Sequence, residues 1–200
     1  DVLGALVEKV SGISFPQFLR QRIFIPLEMN DTYFDLPKDR HIRLVPVLRK
    51  LGDEWNIFDT DIYDVDYPKA EAKTFYSGGA GLSSTVKDYA KFLQVLIQDG
   101  QGNGHQIIGK KTCELIYENQ LSGIEEWTLG LATGVLGENE LYQGGKGSSG
   151  TLTWGGYFNT SYFADPEEKI VGLLFKQTQN IGYDYTTQRF RELVFQSVID

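Results

Sequence analysis

Residues 151–175 read TLTWGGYFNTSYFADPEEKIVGLLF, and the fold class turns on this stretch. It predicts a strand, a tight turn and a second strand. Asp165, Pro166 and Glu167 make the turn, since proline fixes φ where a type I turn wants it. The run Ile170, Val171, Gly172, Leu173, Leu174, Phe175 is almost wholly apolar, as expected of a strand in a sheet covered on both faces. Ahead of the turn, Gly155 and Gly156 directly follow Trp154. Glycine inside a strand costs backbone entropy and leaves nothing to pack. The pair therefore marks a place where a ligand or another backbone comes close. The plainer alternative is a core tryptophan followed by a bulge.

Helical patterns surround this stretch. Residues 1–10 place Val2, Leu3, Leu6, Val7 and Val10 at helical spacing, and Gly12 is a natural terminator. Ser14 caps a second helix with Pro16 in its first turn and Phe18, Leu19 and Ile23 on one face; Pro26 breaks it. Residues 31–73 mix acidic and aromatic types, with Trp55, Phe58, Tyr63 and Tyr67, and read as loops with short strands at the mouth of a cleft. Residues 84–98 form the clearest helix. Ser84 and Asp88 frame its first turn, and Val86, Tyr89, Ala90, Leu93, Leu96 and Ile97 make its buried stripe. After Gly100, Gly102 and Gly104 comes a shorter helix at 110–119, then strand-like segments at 127–135 and 141–143 and a glycine-rich loop at 144–150. Residues 186–199 close the chain as a helix, with Phe190, Leu193, Val194 and Val198 toward the sheet. The expectation is an α+β fold, a mainly antiparallel sheet flanked by helices, with no internal repeat and no domain boundary.

Two hundred residues, 41% hydrophobic and 13% aromatic, suit one domain or one large piece of a domain and rule out disorder. A net charge of −8 argues against a nucleic-acid partner, which needs a basic surface. No apolar run reaches membrane-spanning length. The single Cys113 excludes an internal disulfide and reads as a buried structural thiol.

Short catalytic look-alikes are present, and each has a structural reading that outweighs it. Ser84 and Lys87 match Ser-x-x-Lys, but Lys87 shares the wet helix face with Lys91, Gln94 and Gln98. An exposed lysine stays protonated and makes a poor base, so Ser84 reads as a helix cap. Tyr117 and Asn119 match Tyr-x-Asn, yet residues two apart on a helix point to different sides. Lys146, Gly147 and Ser148 transpose the glycine and hydroxyl of Lys-Thr-Gly and sit in a loop. His41 and His105 have no carboxylate or cysteine placed to make a triad or a zinc site, and both read as solvent-exposed.

Four segments, in order, resemble the serine β-lactamase, penicillin-binding protein and class C-type esterase superfamily. Residues 1–12, DVLGALVEKVSG, resemble the helix after its Tyr-x-Asn motif. Residues 26–34, PLEMNDTYF, resemble PLGM-x-DT-x-F with Glu28 in place of glycine, and residues 77–88, SGGAGLSSTVKD, resemble GG-x-GL-x-ST-x-x-D. The Trp154, Gly155, Gly156 stretch resembles the third motif, which reads Lys-Thr-Gly, His-x-Gly or, in some esterase-like members, Trp-Gly-Gly.

The resemblance implies that residues 1–200 are the C-terminal part of a single β-lactamase-like domain, incomplete at its N-terminus. Ser-x-x-Lys and Tyr-x-Asn are then expected upstream of Asp1, so no catalytic residue is assigned in this chain. It implies a serine hydrolase working through an acyl-enzyme with no metal or organic cofactor, in the periplasm or secreted, and inactive as this piece alone. Trp154, Gly155, Gly156 and Tyr157 are the implied substrate-binding residues, with an oxyanion donor near Tyr157. Trp154 in place of Lys or His removes a cation for a substrate carboxylate, which favours an uncharged acyl substrate over a penicillin. Two alternatives stand beside this: a non-catalytic module binding peptide or glycan fragments, and a small enzyme using Ser84. Strands missing from a shared sheet also predict self-association through an exposed sheet edge.

Overall fold

The computed structural model describes residues 1–61, 64–71, 73–123, 128–137, 147–179, 181–182 and 184–199. Its centre is a four-stranded antiparallel sheet in the order β5-β6-β7-β8, formed by β5 (Gly134–Val135), β6 (Leu152–Gly155), β7 (Thr160–Asp165) and β8 (Ile170–Phe175). Residues 151–175 are therefore three strands rather than two. A second turn, residues 156–159, separates β6 from β7, and Asn159 takes a positive φ of 63° there. Gly155 ends β6 and Gly156 starts the turn, so the glycine pair marks where a strand stops.

Both faces of the sheet are covered, which accounts for the apolar run in β8. Leu152, Ala164, Tyr162, Val171 and Leu173 pack against Leu93 and Leu96 of α3 (Val86–Ile97). On the opposite face Phe163 meets Phe190 and Phe195 of α5 (Thr186–Gln196), with ring centroids 6.0 and 5.1 Å apart. Gly172 lies directly beneath the Phe163 ring: a Cβ there would stand 2.2 Å from it. Leu193 points to solvent, and Phe195 takes the sheet-facing place expected of it, because α5 is rotated by the Phe163 stack.

The central helix α3 serves two cores. Leu93 and Leu96 face the sheet, while Val95 packs with Leu27 and Met29. Val95 is therefore buried and Val86 exposed, opposite to the expected stripe at those two positions. The N-cap is Thr85, whose Oγ1 accepts the Asp88 N–H at 3.3 Å. Ser84 does not cap the helix; its Oγ shares a 2.8 Å hydrogen bond with Thr32 Oγ1.

α1 (Val2–Ser11) ends at Gly12 with φ 74°, and Ser14 caps α2 (Phe15–Leu19), as the pattern predicts. The chain then runs through a π-helical turn, Arg20–Phe24, up to Pro26. Two of the resembling segments meet next. The buried Asp88 accepts from Asp31 N at 2.7 Å and Thr32 Oγ1 at 3.0 Å, and Tyr33 and Ser83 exchange backbone hydrogen bonds. Arg43 donates to both carboxylate oxygens of Asp31, at 2.7 and 3.1 Å, and holds that carboxyl below its usual range.

Within residues 31–73 lies a small hairpin, β1 (Leu48–Leu51) with β2 (Glu54–Ile57), extended by the parallel β9 (Thr178–Gln179). A two-residue ladder, β3 (Gln101–Gly102) with β4 (His105–Gln106), follows α3. α4 (Lys110–Tyr117) buries Cys113, as expected, and burial pushes its thiol pKa up. Residue 127, the expected strand at 141–143, Tyr63 and Lys146 lie outside the described residues. Among those described, no helix is long and apolar enough to cross a membrane.

Candidate functional site

Where β6 runs out, no described strand pairs with its β5 side beyond Thr153. β5 pairs with β6 only through Gly134 with Thr153 and Val135 with Leu152. Gly156 N–H donates to Thr160 O at 2.8 Å, so that residue faces β7. Antiparallel alternation then turns the Gly155 N–H and C=O the other way, past the end of β5. Trp154 and Tyr157 flank this opening with 51% and 62% of their surface exposed. Trp154 is thus no core tryptophan, and its indole is presented at the surface beside the open backbone.

The turn that follows is bolted down. Asn159 Nδ2 donates to Thr178 O and Oγ1 at 2.9 and 3.1 Å, and Thr178 N–H donates to Phe158 O at 3.1 Å. Gln179 Nε2 donates to Tyr157 O at 2.5 Å. β9 in turn pairs with β1, and Phe58, just after β2, stacks edge-on against Phe158 at 5.6 Å. The Arg49 guanidinium lies 5.7 Å over the Phe58 ring. The hairpin in the irregular region therefore packs against the turn that follows β6.

On the strand's other flank, the fully buried Asp165 holds the loop that leads into β6. Its Oδ2 accepts from Ser148 N at 2.7 Å and Thr151 Oγ1 at 2.9 Å; its Oδ1 accepts from Glu167 N at 2.9 Å and Glu168 N at 3.0 Å. Burial alone pushes this carboxyl pKa up, but the hydrogen bonds outweigh it and hold the group below its usual value. Thr133, almost fully buried, donates its hydroxyl to Thr153 O at 2.8 Å on the β5 side.

Neither the Ser84–Lys87 nor the Tyr117–Asn119 look-alike is assembled, and Lys146 of the third lies outside the described residues. Lys87 is exposed and the Ser84 hydroxyl is tied to Thr32 rather than to a lysine. Tyr117 donates from the core to Leu96 O at 3.0 Å, while Asn119 lies beyond the end of α4 and accepts from Leu121 N. The expectation placed both on one helix; the helix stops at Tyr117, and they still share no face. His105 is exposed, but His41 is half-buried with its ring nitrogen 3.0 Å from Leu36 O, correcting the reading of both as fully solvated. Among the described residues no three His, Cys, Asp or Glu side chains cluster to hold a metal ion.

A concavity of ≈ 420 Å³ lies on the α5 face of this same strand end, lined by Thr153, Trp154 and Gly155 together with Phe163 and Phe190. Its described lining holds no carboxylate, histidine or cysteine, so it offers no acid–base pair.

Thr133, Asn159 and Gln179 were not singled out by the sequence, and Asp165 was read only as a turn residue. Asp165 carried a signal, since an aspartate opening Asp-Pro-Glu-Glu commonly accepts the amides two and three residues on. The others act over long sequence distances and leave no local pattern.

An open strand end beside a walled turn, between a helical region and a sheet, is the arrangement of the β-lactamase and penicillin-binding protein fold. The β-lactamase family model matches residues 1–194, and this chain belongs to that family. An uncharacterized protein of Mycobacterium tuberculosis is 26% identical over 193 residues, covering 88% of this chain and 47% of its own length. EstCE1, a hydrolase with promiscuous acyltransferase activity, superposes with a TM-score of 0.80 at 22% identity, over 97% of this chain and 54% of its own. A mutant simvastatin synthase from Aspergillus terreus gives 0.81 at 21% identity, over 98% and 53%. At these identities the structural matches speak for the fold alone. The chain spans about half the length of these relatives.

Proposed function

We propose that this chain is the C-terminal part of a serine hydrolase that acts through an acyl-enzyme on an uncharged ester or amide. The nucleophilic serine, its lysine base and the tyrosine come from residues upstream of Asp1. Their counterparts by motif here, Ser84, Lys87, Tyr117 and Asn119, are each engaged or placed elsewhere.

The observation that carries the reading is the open β6 end at Gly155 between the exposed Trp154 and Tyr157. A strand edge of this kind can hold an extended acyl group by its amide while a turn amide, at Tyr157, meets the oxyanion that develops as the serine attacks. A preorganised donor of that type contributes roughly 10²–10³ in rate. The chemistry runs on serine, base and backbone donors, with no metal or organic cofactor. Trp154 offers an apolar ring where a lysine or histidine would have offered a cation, and the net charge of −8 disfavours anionic substrates further.

The test is the longer protein that includes the upstream residues, assayed on p-nitrophenyl butyrate and on nitrocefin. The expected result is faster turnover of the ester, by kcat/KM. Faster turnover of nitrocefin overturns the choice of substrate class, and turnover of neither favours a binding module.

The outer edge of β8 is the surface through which this chain alone would self-associate. By the same alternation, Val171, Leu173 and Phe175 direct their backbone groups away from β7. An antiparallel pairing of two copies about Leu173 sets Val171 against Phe175 and brings no like charges together within the strand.

A further inference from the structure

We propose that Thr133 is a positioning residue, whose hydroxyl stops the β5–β6 ladder at Thr153 and thereby sets where the open Gly155 edge begins. This rests on the reading of residues 154–157 as the substrate-facing strand end.

β5 is only two residues long, and its partner register ends at Gly134 with Thr153. The chain before it turns sharply: Gly130 N–H donates to Thr133 O at 2.8 Å, and Leu129 bridges to Gly134. Gly130 has no room for a side chain, since a Cβ would fall 1.8 Å from Ile116 O of α4. The turn is therefore fixed against α4, and it delivers Thr133 to the β6 edge with 1% of its surface exposed. There the hydroxyl lies 2.8 Å from Thr153 O and 3.2 Å from Gly134 O. A threonine hydroxyl has one proton, and the shorter contact gives it to Thr153. Among the described residues a side chain thus supplies the last donor that β6 receives on this side, and the β5 register ends at Gly134 opposite Thr153.

The Thr133 oxygen is itself a hydrogen-bond acceptor. Tyr162 Oη donates to it at 3.4 Å from β7, and the Tyr162 ring packs against that of Tyr89 on α3 with centroids 5.6 Å apart. Burial pushes both phenol pKa values up, so both hydroxyls keep their protons at neutral pH and remain donors. The result is a short, partly buried line of hydroxyls from Tyr162 of β7 through Thr133 to a backbone carbonyl two residues before Gly155. Such lines polarise along their length and fix geometry better than isolated bonds do.

Amide hydrogen exchange and carbonyl ¹³C shifts on the 200-residue chain test this without any substrate. Thr133→Val keeps the shape and removes the donor; Thr133→Ser keeps the donor. In Thr133→Val the Thr153 carbonyl resonance should move, and the Trp154 and Gly156 amides should exchange about tenfold faster, the factor expected from losing one net hydrogen bond. Amides of β8 should be unchanged, and Thr133→Ser should behave as the parent chain. Tyr162→Phe, which leaves Thr133 in place, should still shift the Thr153 carbonyl, and it decides the matter if Thr133→Val does not fold. Parent-like exchange at Trp154 and Gly156, equal disturbance in Thr133→Ser, or uniform acceleration across the sheet each overturns the role. Because no substrate is used, a failure here indicts Thr133 alone, while the ester and nitrocefin assay judges the site itself.

Discussion

Replacing Asp165 by asparagine should be among the most damaging conservative changes in this chain. The carboxylate is fully buried and accepts four hydrogen bonds, from Ser148 N, Thr151 Oγ1, Glu167 N and Glu168 N. An asparagine has one acceptor oxygen, so its amide group must face two of those donors and can satisfy neither. Bonds to a charged acceptor contribute about 1.5–3 kcal/mol each, and losing two of them costs about 3–5 kcal/mol. For a chain of this size that is a fall in Tm on the order of 10 °C. The damage should also be local before it is global. Ser148 closes the loop into β6, so the Ser148, Glu167 and Glu168 amides should lose exchange protection ahead of β7 and β8. Urea unfolding followed by tryptophan fluorescence gives the free energy. A change below about 1 kcal/mol would refute the reasoning, since it would mean that the four bonds are not made together.

Glu28 stands at φ 54°, where the related motif has glycine. Left-handed backbone costs an L-residue about 1–2 kcal/mol and glycine gives back about 0.5–1 in chain entropy, so Glu28→Gly should stabilise by about 0.5–1 kcal/mol; a lower urea midpoint would contradict this. Acid should unfold the chain through its depressed carboxylates: Asp31, hydrogen-bonded by Arg43; Asp165, where amide bonds outweigh burial; and Asp184, lowered to about 2 by Lys176 and by Thr186. Their folded pKa values lie below the unfolded ones, so this contribution is complete above about pH 4 and is lost as pH falls toward about 2. Far-UV dichroism against pH checks it, and a transition centred above about pH 5 would point to other groups. Sedimentation of the isolated 200-residue chain should show dimers or larger species that weaken when Leu173 is changed to proline, which is barred from pairing; a monomer at all concentrations removes the β8 edge as a pairing surface.

The sequence showed the sheet through β8, whose unbroken apolar run needs two covered faces, and α3 through its spacing. It misplaced what depends on three dimensions. Val95 was left out of the buried stripe of α3 because a single helix face was assumed, whereas Leu27 and Met29 form a second core behind it. Phe195 displaced Leu193 because the Phe163 ring, lying flat on Gly172, sets the rotation of α5. At the candidate site, Trp154, Gly155, Gly156 and Tyr157 were visible as an odd run of small and aromatic residues. Their supports were not, since Thr133 and Gln179 reach residues 153 and 157 across 20 and 22 positions of sequence, and Asn159 is held by Thr178, 19 positions on.

The central claim is that the covalent machinery lies outside these 200 residues while the substrate strand lies within them. Intact mass after incubation with a fluorophosphonate tests it most directly, on this chain and on the longer protein that includes the upstream residues. The account predicts no adduct on the 200-residue chain and one adduct on the longer protein, mapping upstream of Asp1. A stoichiometric adduct on Ser84, or on any other serine of this chain, would contradict it.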